Sequence, residues 1–158
     1  MYETFYGFKE RPFALVPDPS FLYLSKGHGT ALTLLRYSIM NRQGFTVVSG
    51  EVGSGKTTLV NRLLDELKTG VTVGLINFTT RTFGDMAEWI MMAYGLPYKN
   101  KGKVELYEDF VQFMIREYAA GRPVVLIVDE AQNLGIRGLE EIRMLSNVNA
   151  QKEYLLHV

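Results

Sequence analysis

Between Phe45 and Thr57 the chain reads Phe-Thr-Val-Val-Ser-Gly-Glu-Val-Gly-Ser-Gly-Lys-Thr, and this stretch limits the fold more than any other. A short apolar run leads to Gly50, four variable residues follow, and Gly55-Lys56-Thr57 opens a helical pattern. Strand, glycine-rich turn and helix in that order form the G-x-x-x-x-G-K-[ST] signature, which brings backbone amides close to a polyphosphate. Gly50, Gly53 and Gly55 are expected to take positive-φ turns, so that successive N–H groups converge on the anion. The helix starting near Lys56 aims the positive end of its dipole at the same place. The plain alternative is a glycine-rich turn that merely joins strand to helix.

On this reading the nucleotide-contacting residues are Gly50, Glu51, Val52, Gly53, Ser54, Gly55, Lys56, Thr57 and Thr58. Lys56 is long enough to reach the β- and γ-phosphates, the Thr57 hydroxyl is placed to hold Mg2+, and Thr58 adds a donor toward the α-phosphate. A second half-site lies at Pro-Val-Val-Leu-Ile-Val-Asp-Glu, residues 123–130. Its apolar run is mostly β-branched and fits a strand buried on both faces of a parallel sheet. Asp129 would emerge at the carboxyl end of that strand, where open α/β sheets place their ligands, and would accept metal-bound water. Glu130 is the candidate general base for the attacking water. Alone, an apolar run ending in Asp-Glu is weak. Together with the loop, in this order, it points to a nucleoside triphosphate and Mg2+ as ligands and to hydrolysis, with Glu130 and Lys56 catalytic and Thr57 and Asp129 at the metal.

The 158 residues suffice for one compact domain with a sizeable core. A formal net charge of zero provides no global field to recruit nucleic acid or acidic membranes. Cysteine is absent, which excludes disulfides and thiolate metal sites. No apolar stretch approaches the length of a membrane span and residues 1–15 lack a signal-peptide core, so a cytoplasmic domain is expected.

Residues 1–28 are rich in aromatics and proline, and are expected to pack on the core as an irregular collar. Residues 29–158 read as the catalytic core. His28 is expected to cap or pack rather than catalyse, since no second histidine lies near it in sequence. Helices are expected at about 30–41 (Leu32, Leu35 and Ile39 inward), 56–68, 85–94, 104–120 (Leu106, Phe110, Phe113 and Met114 inward) and 138–146 (Leu139, Ile142 and Leu145 inward). Strands are expected at 45–49, 71–78 and 123–128, with Tyr154–Val158 as the start of another buried strand. This alternation fits a three-layer α/β/α sandwich with a mostly parallel sheet, the fold of phosphate-loop NTPases, and the strand stub at 154–158 reads as a domain cut short before its last strand is complete.

The phosphate loop, the Asp129-Glu130-Ala131-Gln132-Asn133-Leu134 stretch and Leu139 to Asn147 resemble AAA+ ATPases, and most closely the general secretion pathway protein A type. The leader adds to the likeness: Tyr2-x-x-Phe5-x-Gly7-Phe8, Arg11-Pro12-Phe13, Pro17-Asp18-Pro19, Phe21 and Tyr23 are similar to that family's. The resemblance implies an ATP-driven module that works as a homo-oligomer with nucleotide at subunit interfaces, serving assembly or remodelling of a secretion or envelope machine. It assigns the Walker roles to Lys56, Thr57, Asp129 and Glu130, and likens Asn77 to a polar residue that restrains the catalytic glutamate. It places a sensor residue on the strand begun at Tyr154, and the arginine finger and helical lid beyond Val158. Full-length relatives of the secretion type carry a membrane segment and a periplasmic part. A DNA-associated AAA+ regulator of the transposition type and an ATP-responsive scaffold with little hydrolysis are the alternatives, a small-molecule kinase the weakest. Arg137 and Arg143 are the candidate DNA contacts, but Glu140 and Glu141 beside them favour a solvated face.

Overall fold

The computed structural model describes residues 2–9, 23–67, 70–77, 85–150 and 152–158. In chain order the elements are α1 (Tyr2–Tyr6), α2 (Lys26–Met40), α3 (Lys56–Glu66), β1 (Thr72–Asn77), α4 (Met86–Ala93), α5 (Lys103–Ala119) and β2 (Val124–Asp129). A 3-10 turn at Ala131–Asn133 then leads to α6 (Gly135–Ser146), β3 (Asn149–Ala150), β4 (Glu153–Tyr154) and β5 (Leu156–His157). The main sheet has the order β1-β2-β5, all parallel. β1 and β2 pair along their whole length, from Thr72 opposite Val124 to Asn77 opposite Asp129.

Alternation along β2 sorts the layers. Val124 and Leu126 join Ile90, Phe110, Met114, Ile142 and Leu145 of α4, α5 and α6. Val125, with Ile127 beside it, packs on Leu32, Leu35, Ile39, Leu59 and Leu63 of α2 and α3. Side chains of successive strand residues point to opposite faces, so a strand apolar at every position must be covered on both. The result is a parallel sheet flanked by helices, a phosphate-loop NTPase-like domain.

One close approach fixes the sheet against α4. A Cβ at Gly74 would sit 2.7 Å from the ring of Tyr94, so only glycine fits there. The Tyr94 hydroxyl donates to the Val125 carbonyl at 2.8 Å, and its ring lies 5.4 Å from that of Phe110. Burial pushes the Tyr94 phenol well above its ordinary pKa, so it stays a hydrogen-bond donor.

The helices follow the expected spacing, with shifted ends. α2 begins at Lys26 because the Ser25 hydroxyl caps it, accepting from the His28 N–H at 3.3 Å. Asp85 caps α4 in the same way, accepting from the Ala87 N–H at 3.2 Å. α6 starts at Gly135 rather than near 138. Leu139, expected in the core, is half exposed. A short antiparallel hairpin of β3 and β4, which the apolar pattern does not announce, precedes β5.

The largest departure is at 45–49, where a buried strand is expected. These residues form no ladder, and Val47 is 82% exposed. Two bonds tie the segment to the sheet: the Val158 N–H donates to the Gly44 carbonyl at 2.9 Å, and the Thr46 N–H to the Val158 carbonyl at 2.8 Å. This is the alternating pattern of a parallel pair, begun at one residue. β5 pairs with β2 only through Leu156 and His157. Beyond it, residues 45–48 and the free edge of β2 face each other across a mainly apolar cleft of about 290 Å³, which Leu139 also lines.

Of the expected collar, residues 10–22 lie outside the described residues, as does Phe78 at the end of the expected second strand. Tyr2, Phe5, Tyr6 and Phe8 are exposed, and Phe5 meets Tyr6 edge-on at 4.9 Å.

Candidate functional site

The loop and the acidic strand end come together at the carboxyl edge of the sheet. Gly53 and Gly55 have φ of +77° and +86°, a region that disfavours any side chain. Gly50 does not, which corrects the expectation of three positive-φ glycines. Its constraint is space: a Cβ there would meet the Ser54 hydroxyl oxygen at 2.8 Å. Gly55 is the left-handed N-cap of α3 and offers no side chain to the helix start. Among the described residues the amides of Lys56, Thr57 and Thr58 accordingly have no backbone or capping acceptor, whereas the Leu59 N–H already bonds the Gly55 carbonyl at 2.9 Å. These are the free donors of a helix N-terminus, directed at whatever sits over the loop. The Glu51 and Val52 side chains are exposed, so those positions bring backbone to the loop.

Lys56 folds back over its own loop. Its ammonium donates to the Gly50 carbonyl at 2.9 Å and to the Glu51 carbonyl at 2.8 Å. Thr57 reaches across the site, its hydroxyl donating to Asp129 Oδ2 at 2.9 Å although 72 residues separate them. Asp129 Oδ1 accepts the Glu130 N–H at 2.9 Å, so both oxygens of this half-buried carboxylate are engaged. Glu130 sits at φ +55° and ψ +39°, a left-handed conformation that costs a non-glycine residue about 1–3 kcal/mol. Its exposed carboxylate accepts a hydrogen bond from the Gln132 amide. Asn77 is in register with Asp129 on the adjacent strand, and no hydrogen bond joins it to Glu130.

Two contributors escape sequence reasoning. Gln132 is brought to Glu130 by the 3-10 turn, and its separation of two residues was the available signal. His28 does more than cap: its Nε2 lies 2.8 Å from the Ser54 carbonyl of the loop. Only the Ser25-x-x-His28 helix start hinted at an ordered ring there.

Among the described residues no group of three or more His, Cys, Asp or Glu is placed to hold a metal ion. A site built from one hydroxyl and one carboxylate suits Mg2+ nonetheless, because that ion keeps waters and draws further ligands from phosphate oxygens. The donors present therefore fit a magnesium–polyphosphate pair. No helix among the described residues is long and apolar enough to cross a membrane.

Comparison with known proteins bears on the family of the chain. The chain is 37% identical over 159 aligned residues to general secretion pathway protein A of Aeromonas hydrophila, an alignment that takes in all of this chain and 29% of that protein's length. No solved structure matches the chain. The model of the family described as AAA domain matches residues 39–158, from the end of α2 through the loop, both full strands and β5, and the chain belongs to that family.

Proposed function

We propose that the chain binds ATP with Mg2+ over residues 50–58 and hydrolyses it, as the motor part of an oligomeric, cytoplasmic AAA module. The observation that carries this reading is the 2.9 Å contact between Thr57 and Asp129, which joins the glycine loop to the acidic strand end. Either half alone is ambiguous; a hydroxyl and a carboxylate meeting beside free helix-start amides is a magnesium-and-phosphate arrangement.

In this mechanism the amides of Gly55, Lys56, Thr57 and Thr58 hold the phosphates in line. Lys56 exchanges its two carbonyl partners for phosphate oxygens. Thr57, through its hydroxyl oxygen, and Asp129, through its carboxylate, would hold the Mg2+, and the ion would supply charge neutralisation at the phosphate oxygens. Glu130 leaves the Gln132 amide and takes the proton of the attacking water on a carboxylate oxygen. Asn77, in register with Asp129 on the adjacent strand, would restrain that glutamate as the family resemblance implies.

The likeness to general secretion pathway protein A over the full length of this chain supports work on a secretion or envelope assembly. Of the two arginines that the DNA-associated alternative would use, Arg143 is paired with Glu140 at 2.5 Å, which counts against that reading.

Titration of Mg-ATP into the wild-type chain and Lys56→Ala tests the site. Wild type is expected to bind, and the variant to bind at least about tenfold more weakly, the equivalent of one charge-assisted hydrogen bond. Equal affinity would move the nucleotide off this loop.

A further inference from the structure

We propose that His28 is a positioning residue for the phosphate loop, a strut from α2 that orients the Ser54–Gly55 peptide and with it the Gly55 N–H that precedes α3. The inference rests on the nucleotide-binding reading above and adds to it a residue that lies outside the motif.

The ring is held on both edges. Nδ1 lies 2.7 Å from the Ser25 hydroxyl, and Nε2 lies 2.8 Å from the Ser54 carbonyl oxygen. A carbonyl oxygen only accepts, so Nε2 carries the hydrogen, and in the neutral ring Nδ1 accepts from Ser25. The Ser25 oxygen still receives the His28 N–H at 3.3 Å, which locks the ring to the cap of its own helix.

What the ring fixes is a peptide plane. No peptide bond among the described residues is cis, so the Ser54 carbonyl and the Gly55 N–H point in opposite directions. Drawing the carbonyl toward His28 turns the Gly55 N–H away from the ring, the direction a loop donor needs. The close approach is confirmed separately by space: a Cβ on Gly55 would lie 3.1 Å from His28 Nε2. Gly55 at φ +86° therefore answers two demands, a left-handed backbone and room for the imidazole. The ring's hydrogen bond to the loop is to a backbone carbonyl, which makes its role positional and not catalytic.

Three variants separate this role from helix capping. An asparagine amide reaches the place of Nδ1, and a glutamine amide the place of Nε2. His28→Ala and His28→Asn are expected to bind Mg-ATP about tenfold more weakly, the scale of one hydrogen bond. His28→Gln is expected to stay within about threefold of wild type. Hydrogen exchange of residues 53–57 without nucleotide supplies a second readout, faster in His28→Asn than in His28→Gln. Asparagine matching wild type in both readouts, or glutamine as weak as alanine, overturns the strut. If wild type binds no Mg-ATP while the exchange difference appears, the nucleotide reading fails and the strut stands.

Discussion

The two faces of the sheet are built on different principles. Toward α4, α5 and α6 the packing is apolar and continuous, with Phe110, Met114, Leu126 and Leu156 almost fully buried. Toward α2 and α3 the core is smaller, and its upper end passes into a loop held by hydrogen bonds from Lys56, Thr57 and His28. Each face has one glycine pressed against a ring: Gly74 against Tyr94, Gly55 against His28. In the first case the ring is locked in hydrocarbon; in the second it braces a polar turn. Stability thus resides mainly on one side and ligand geometry on the other, so substitutions should separate into two classes.

Phe110→Ala should have the largest effect, a loss of about 3–5 kcal/mol from the deleted ring and the cavity behind it. Chemical denaturation measures it, and a loss below about 1 kcal/mol would mean that this face is not the main core. Glu130→Gln comes next and should act only on chemistry. Phosphate release should slow about a hundredfold, about 2.7 kcal/mol of barrier, with ATP affinity and the unfolding midpoint unchanged. A shared loss of stability would blur the division of labour. Gly74→Ala should cost about 1–3 kcal/mol by forcing Tyr94 aside. Nucleotide affinity should survive it, as the clash lies on the face away from the loop.

The smallest effect belongs to Glu117, which lies at the edge of the packed face. The Arg122 guanidinium, with the Thr72 hydroxyl, holds its carboxyl at about 2 instead of the ordinary 4.5. A depressed carboxylate pKa stabilises the fold above the unfolded value and ceases to do so as pH falls toward the folded one. The midpoint gap between wild type and Glu117→Gln should therefore be steady above pH 4.5 and close between 4.5 and about 2. A gap that persists at low pH would mean packing, not charge, is what Glu117 supplies.

What the sequence shows depends on how local the cause is. Leu106, Phe110 and Met114 repeat at helical spacing within one element, and all three are buried. Asp129 falls at a strand end because its own preceding residues make the strand. Residues 45–49 include Phe45, Val47 and Val48, yet the bonds that tie this segment to the sheet are made with Val158, far along the chain, which no local pattern encodes. Leu139 has the right spacing with Ile142 for a core residue, but it borders the cleft left between β2 and residues 45–48. The His28–Ser54 bond joins residues 26 apart through the mutual placement of two helices. Motif reading found Thr57 and Asp129 as types; their meeting is a property of the fold.

The return of Lys56 to the Gly50 and Glu51 carbonyls has a consequence for binding. The loop keeps its curvature with an internal counter-ion, so little ordering is left to the moment of capture. An arriving anion must instead outcompete two backbone dipoles for one ammonium. On the proposed reading, the bound polyphosphate would offer several oxygens to that exchange at once, taking over from both carbonyls together.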